Sequence, residues 1–225
     1  MTRSFSLVDH KVAETEFFLK RISEHNREIF CVRCYVSAFV TSARSISYSI
    51  QAVLREIDGF KDWYGKRQLN LKEDSIARFF HKFRNINHHI GENIINHGIS
   101  GPDSPIKWFF SPTQEITHVP RDDVETACRH YFLILLELVY QCYLDFGTYI
   151  DAHQYYTPEH FKGIGKTIDD ADQEVIGIPS WTAVPGISDS DRWQMIRNTV
   201  IGCEINHIFD EYLNKTVTGL PRTPQ

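Results

Sequence analysis

Apolar positions along this chain recur mostly with the period of an α-helix. Phe39, Ala43, Ile46, Ile50, Val53 and Ile57 follow one another at steps of three or four, which lines one face of a helix. Asp58-Gly59 is expected to end it. Ser37, Ser42, Ser45, Ser47 and Ser49 interleave with that face and would let a second helix approach closely. A less regular first helix is expected from about Asp9 to Ser23, with Val12, Phe17 and Leu19 among its apolar residues. A third begins near Asp74, whose carboxylate can accept hydrogen bonds from first-turn amides, and it carries Ile76, Phe79, Phe80 and Phe83 into the core. Gly91 and then Gly98-Ile99-Ser100-Gly101-Pro102 break it. The longest helix is expected from about Arg121 to Ile150; it is apolar on most of its surface through Tyr131 to Leu136, which suits a central or interface position.

Between these helices, Ile106 to Phe110 and Glu115 to Val119 read as two short strands joined by a Ser111-Pro112-Thr113-Gln114 turn. Beyond Thr157-Pro158-Glu159-His160 the pattern changes. Gly163, Gly165, the acidic run Asp169 to Asp172 and the proline-flanked segment Ile178 to Gly186 predict an ordered but irregular connector. A last helix from about Ser190 to Leu213 carries Trp193, Ile196, Val200, Cys203 and Phe209, and the tail from Thr216 is expected to be loose. The fold class expected is all-α: an antiparallel helical bundle over residues 1–156 with a small β-hairpin insertion, and a C-terminal helical extension over 157–225 packed on the bundle or at a dimer interface.

A length of 225 residues suits one good core with an appendage. The formal net charge of -5 argues against a dedicated high-affinity nucleic-acid coat. Residues 61–84 differ: Lys61, Lys66, Arg67, Lys72, Arg78, Lys82 and Arg84 face only Asp62, Glu73 and Asp74. Of these, Lys66, Arg67, Lys72, Arg78 and Lys82 are the candidate RNA-binding residues, since such a patch can hold a phosphate backbone; a solvated helix face is the plain alternative. Cys31, Cys34, Cys128, Cys142 and Cys203 are odd in number and scattered, as reduced thiols of a cytoplasmic protein would be. No charged-then-apolar leader opens the chain, and Tyr131 to Tyr143 is too short to span a bilayer. Membrane association is therefore not expected.

The chemistry concentrates in Phe79-Phe80-His81-Lys82-Phe83-Arg84-Asn85-Ile86-Asn87-His88-His89. An Arg followed by a His after four to six intervening residues should occur about twice by chance in a chain of this make-up, and it does occur twice, as Arg3 to His10 and Arg84 to His89. Context separates them. Arg3 lies near the terminus, whereas Arg84 follows a periodic apolar helix and precedes Asn85. Guanidinium is charged at every accessible pH and matches phosphate oxygens with its planar fork, while imidazole gives or takes a proton near neutrality. Arg84 can hold non-bridging oxygens, Asn85 can orient phosphate or imidazole, and His89 can act as base or acid. In an unbroken helix, however, His88 shares the face of Arg84 and His89 stands about 140° away. Either the helix bends between Asn85 and His88, or His88 is the working partner.

Arg84-Asn85 followed by His89 resembles the signature of the HEPN domains (higher eukaryote and prokaryote nucleotide-binding), and Tyr35 to Ser45 looks like the small-residue second helix of many such proteins. The resemblance covers roughly residues 10–155, and its spacing implies that His89 is the working histidine, with His88 as the second candidate. It implies a metal-independent endoribonuclease acting as a toxin, a phage-defence effector or an RNA-processing enzyme. Two Arg/His motifs would meet at a homodimer cleft, cut by 2′-hydroxyl attack and leave a 2′,3′-cyclic phosphate. The alternative within the family is a non-catalytic module that binds nucleotide or RNA, or dimerises. One branch pairs with a nucleotidyltransferase antitoxin that modifies a tyrosine two residues past the motif histidine; here that position is Gly91, so any cognate antitoxin would act differently. No cofactor and no metal are expected: His81 and His97 lack a carboxylate or thiolate at ligand spacing, and Glu204-Ile205-Asn206-His207 is a single copy of a di-iron spacing.

Overall fold

A computed structural model describes residues 4–100 and 105–217; Arg3, Gly101-Pro102 and the tail from residue 218 lie outside them. The protein is mostly helical, with one two-stranded antiparallel hairpin. It divides into two compact units, Met1–Val139 and Tyr140–Gln225. The change in sequence character lies farther on, at residue 157.

In the first unit, α1 (Ser6–Glu24) packs along α2 (Ile29–Leu54). The periodic face predicted for α2 is its core face: Phe39, Ala43, Ile46, Ile50 and Val53 are all buried. The helix stops at Leu54, and Asp58-Gly59 does not end it. Gly59, at φ 78, instead precedes α3 (Phe60–Glu73), because glycine alone enters that left-handed conformation without cost. α3 carries only two buried side chains, Phe60 and Tyr64, so its periodicity is nearly invisible in the sequence.

The next helix, α4 (Ser75–His89), begins where expected. The Asp74 side chain accepts from the Ala77 amide, and Phe79, Phe80, Phe83 and Ile86 are buried. It ends where expected too, with the Gly91 amide, at φ 79, bonded back to the Ile86 carbonyl at 3.2 Å, a left-handed helix cap. Phe79 and Phe83 pack on Phe110 with ring centroids 4.8 and 5.5 Å away. Phe80 stacks on Tyr131 at 4.7 Å. These rings form the core, as read from the sequence.

The hairpin differs from the one predicted. β1 (Ile95–Ile99) pairs with β2 (Lys107–Phe110), with Ile95 opposite Phe110 and Ile99 opposite Lys107; Glu115 to Val119 is not a strand. The reason is partly local: the Thr113 amide bonds the Ile116 carbonyl and the Ile116 amide bonds Thr113 Oγ1, closing a turn on itself. It is also partly long-range, since Arg33 of α2 donates from Nε (3.0 Å) and Nη2 (2.7 Å) to the Ile95 carbonyl. α5 (Val124–Asp145) follows. Tyr131 to Leu136 is its apolar heart, with Phe132, Leu135 and Leu136 buried.

By length and composition α2 is the one described helix able to cross a bilayer, although its apolar face is the core of this unit. Cys31, Cys34 and Cys128 are free here; Cys128 is buried and Cys34 is exposed.

The second unit contains α6 (Gly147–Ile150), α7 (Ala152–Tyr155), α8 (Pro158–Gly163), α9 (Ile168–Ile176), α10 (Asp189–Asn198) and α11 (Asn206–Leu213). The expected connector contains two helices, α8 and α9, while Ile178 to Gly186 is irregular, as expected. α9 starts with a reciprocal cap between Thr167 and Asp170. The single last helix expected from Ser190 is two helices, separated at residues 199–205. There Gly202 lies so close to the His153 ring that a Cβ would stand 2.4 Å from Nδ1. Phe161, Ala171, Trp193 and Ile196 form the core. Buried Asp172 accepts from the Thr182 amide and hydroxyl, and Arg192 bridges Asp172 and Asp169.

Candidate functional site

α4 is helical without interruption through Arg84, Asn85, His88 and His89, and the Ile90 amide still bonds the Ile86 carbonyl at 2.9 Å. The helix therefore does not bend between Asn85 and His88. At about 100° per residue, His81, Arg84 and His88 share one stripe of α4, while Arg78, Lys82, Asn85 and His89 share another. Both stripes lie outside the phenylalanine face.

On the first stripe Arg84 is half-buried. Its Nη1 donates a long bond of 3.4 Å to Asn85 Oδ1, and its Nε is buried with no acceptor among the described residues. Buried donors are ordinarily satisfied, and an orphan costs about 1–3 kcal/mol. Arg44, from α2, is also half-buried, with its guanidinium 4.5 Å from the centre of the Tyr48 ring. Neither arginine forms an ion pair among the described residues.

His81 responds to this setting. Its imidazole is held below the usual histidine range, first by partial desolvation and then by the charges of Arg44 and Arg84. Tyr131 lies near enough to feel Arg44, yet burial dominates and pushes its phenol up to about 12. The result is a set of two fixed cations and an imidazole, with no carboxylate among the groups that act on His81. An anion would relieve their mutual repulsion and satisfy the Arg84 donor.

His88 and His89 are both exposed in the last turn, with ring centroids 5.3 Å apart. The neighbouring Asn87 points a different way: its Oδ1 accepts from Ser37 of α2 at 2.5 Å and so fastens the motif end of α4 to α2. Ser37, Thr41 and Ser45 of α2 line an open groove of about 870 Å³ that reaches Asn87 and Gly91. Lys11, Glu14 and Phe18 of α1 line the same groove, and Ser42 and Ser47 are buried.

Of the candidate RNA-binding residues, Lys66, Arg67 and Lys72 are on α3, and Arg78 and Lys82 are on α4. Arg78, Lys82 and His118 line one groove of about 420 Å³. The Arg67 guanidinium lies over the Trp63 ring at 3.7 Å. Lys66, Lys72, Arg78 and Lys82 make no ion pair among the described residues.

Other histidines have local roles. His97 bonds Ser111 at 3.3 Å within the hairpin, and Glu204 precedes α11 while His207 lies in its first turn, both exposed. Arg44 and His81 are the site residues that the sequence motif does not contain. A helical projection of α4 would have placed His81 beside Arg84, but nothing local points to Arg44. No family model, no curated protein and no solved structure matches this chain.

Proposed function

We propose that this protein is a metal-independent endoribonuclease of the HEPN type, in which Arg84 holds the scissile phosphate and a histidine of the same helix moves a proton. The observation carrying the proposal is the partly buried Arg84 guanidinium, whose Nε lacks an acceptor among the described residues, on the same stripe of an unbroken helix as His88. In this reading Arg84 meets the charge that builds on the non-bridging oxygens, where preorganised electrostatics contribute most. Asn85, bonded to Arg84, orients the guanidinium. His88 is the working histidine, and His89, on the stripe of Arg78 and Lys82, faces the RNA strand. Attack by the 2′-hydroxyl leaves a 2′,3′-cyclic phosphate and a 5′-hydroxyl.

The experiment is cleavage of single-stranded and structured RNA in excess chelator by wild type, Arg84→Ala, His88→Ala and His89→Ala. Cutting with cyclic-phosphate ends, abolished by Arg84→Ala and His88→Ala and reduced less by His89→Ala, supports the reading. Loss on His89→Ala with His88→Ala active would return the role to His89. A second reading, a non-catalytic HEPN module binding RNA or nucleotide, is favoured by Lys66, Lys72, Arg78 and Lys82, which make no ion pair among the described residues and serve binding whether or not a bond is cut. RNA binding without cleavage by folded wild type would support it.

A further inference from the structure

We propose that His81 is the second proton-transfer group of the Arg84 site, so that a single chain holds both the base and the acid. This inference rests on the ribonuclease reading and departs from it at one point. The family resemblance implies that a second copy supplies the second histidine, whereas α4 already carries one.

The argument is geometric first. Over an unbroken helix, with about 100° and 1.5 Å per residue, His81, Arg84 and His88 fall within an arc of about 60°, and His81 and His88 are about 10.5 Å apart along the axis. Arg84 lies between them. In-line displacement needs its base and acid on opposite sides of phosphorus. With reacting atoms about 3–3.5 Å apart and each imidazole a hydrogen bond from its oxygen, the two nitrogens should be on the order of 10 Å apart. A phosphate seated on Arg84 therefore has one imidazole on each side.

Electrostatics assigns the two roles. The charged groups acting on His81 are Arg44 from α2 and Arg84 from its own helix, and with partial desolvation they favour its neutral form, which a base requires. Tyr131 of α5 also lies by Arg44 and stays protonated. His88, on the other side of Arg84 along the same helix, is left to be the acid. His81 takes the proton of the ribose 2′-hydroxyl as the 2′-oxygen bonds to phosphorus. The bond from phosphorus to the 5′-oxygen breaks, and that oxygen takes the proton of His88. Exchange with solvent resets both imidazoles.

The test uses the full chain and two matched oligonucleotides with one cleavable ribonucleotide, differing only in an oxygen or a sulfur at the 5′-bridging position. A thiolate leaves without a proton. His81→Ala and His88→Ala should each lose about 10²- to 10⁴-fold on the oxygen substrate. The sulfur substrate should restore His88→Ala and leave His81→Ala slow, and mixing the two variants should restore nothing. His81→Gln, with an unchanged thermal midpoint, guards against a folding effect and should be as slow as His81→Ala.

The inference is overturned if His81→Ala cuts within twofold of wild type, if sulfur rescues it, or if the mixture regains activity through a site shared between copies. In those cases the ribonuclease reading stands as long as Arg84→Ala remains inactive. If wild type cuts neither substrate, both fall.

Discussion

Replacing Arg84 with methionine separates a functional arginine from a structural one. The wild-type side chain buries Nε with no acceptor among the described residues and shares its surroundings with Arg44 and His81. A structural arginine would be bonded to the fold it stabilises, whereas an anion-binding one is held unsatisfied until its ligand arrives. Methionine keeps most of the apolar stem and removes the orphan donor, whose cost is about 1–3 kcal/mol, together with the repulsion. Some packing is lost, so Arg84→Met should be more stable than wild type by about 1 kcal/mol, a rise in Tm of roughly 2–4 °C for a chain of this size. Added inorganic phosphate should reverse the order. At ten times its Kd, a ligand of the native state contributes about 1.4 kcal/mol, which wild type gains and Arg84→Met does not. Urea unfolding and thermal melts of both proteins, with and without phosphate at constant ionic strength, measure each quantity. Destabilisation of Arg84→Met by more than about 1 kcal/mol, with phosphate acting equally on both proteins, would refute the reasoning and make Arg84 a structural residue.

Further outcomes are expected at the ends and flanks of α4. Asp74→Ala removes the carboxylate that accepts from the Ala77 amide and should cost about 1 kcal/mol in urea unfolding; no loss would mean the cap contributes nothing. Gly91→Ala meets no neighbour within 4 Å, so its cost of about 1–2 kcal/mol comes from the left-handed backbone alone, and a neutral result would disprove that. Arg78→Ala combined with Lys82→Ala should weaken RNA binding and flatten its salt dependence by a slope of roughly 1.4, read from titrations at several salt concentrations. His81 has a folded pKa below its unfolded value, so the unfolded chain binds more protons as pH falls through about 6.5. Stability should then drop between that pH and the lower folded pKa, and His81→Gln should flatten that slope in pH-dependent melts.

The parts of the site that were legible are those set by short-range chemistry. Asp74 as a cap, the phenylalanine face of α4 and the stop at Gly91 act within a turn or two of themselves. The local +4 charge of residues 61–84 was likewise plain in the sequence. α3 was missed because only Phe60 and Tyr64 are buried, too few to leave a period. The strand partner of β2 was misread because Thr113 and Ile116 close a local turn, while Arg33, far upstream, holds Ile95. In the second unit the break between α10 and α11 comes with Gly202 pressed against His153, a contact across many residues that apolar spacing alone does not reveal.

By itself, then, the sequence determined which helix carries Arg84, Asn85, His88 and His89 and where that helix begins and ends, because caps, core faces and glycine stops are local. Tertiary structure alone decided that Arg44 joins Arg84 and His81, that Asn87 turns away to Ser37, and that Arg84 keeps a donor without an acceptor. Each depends on how α2 lies against α4. The buried faces of both helices set that packing, and no spacing along the chain encodes it.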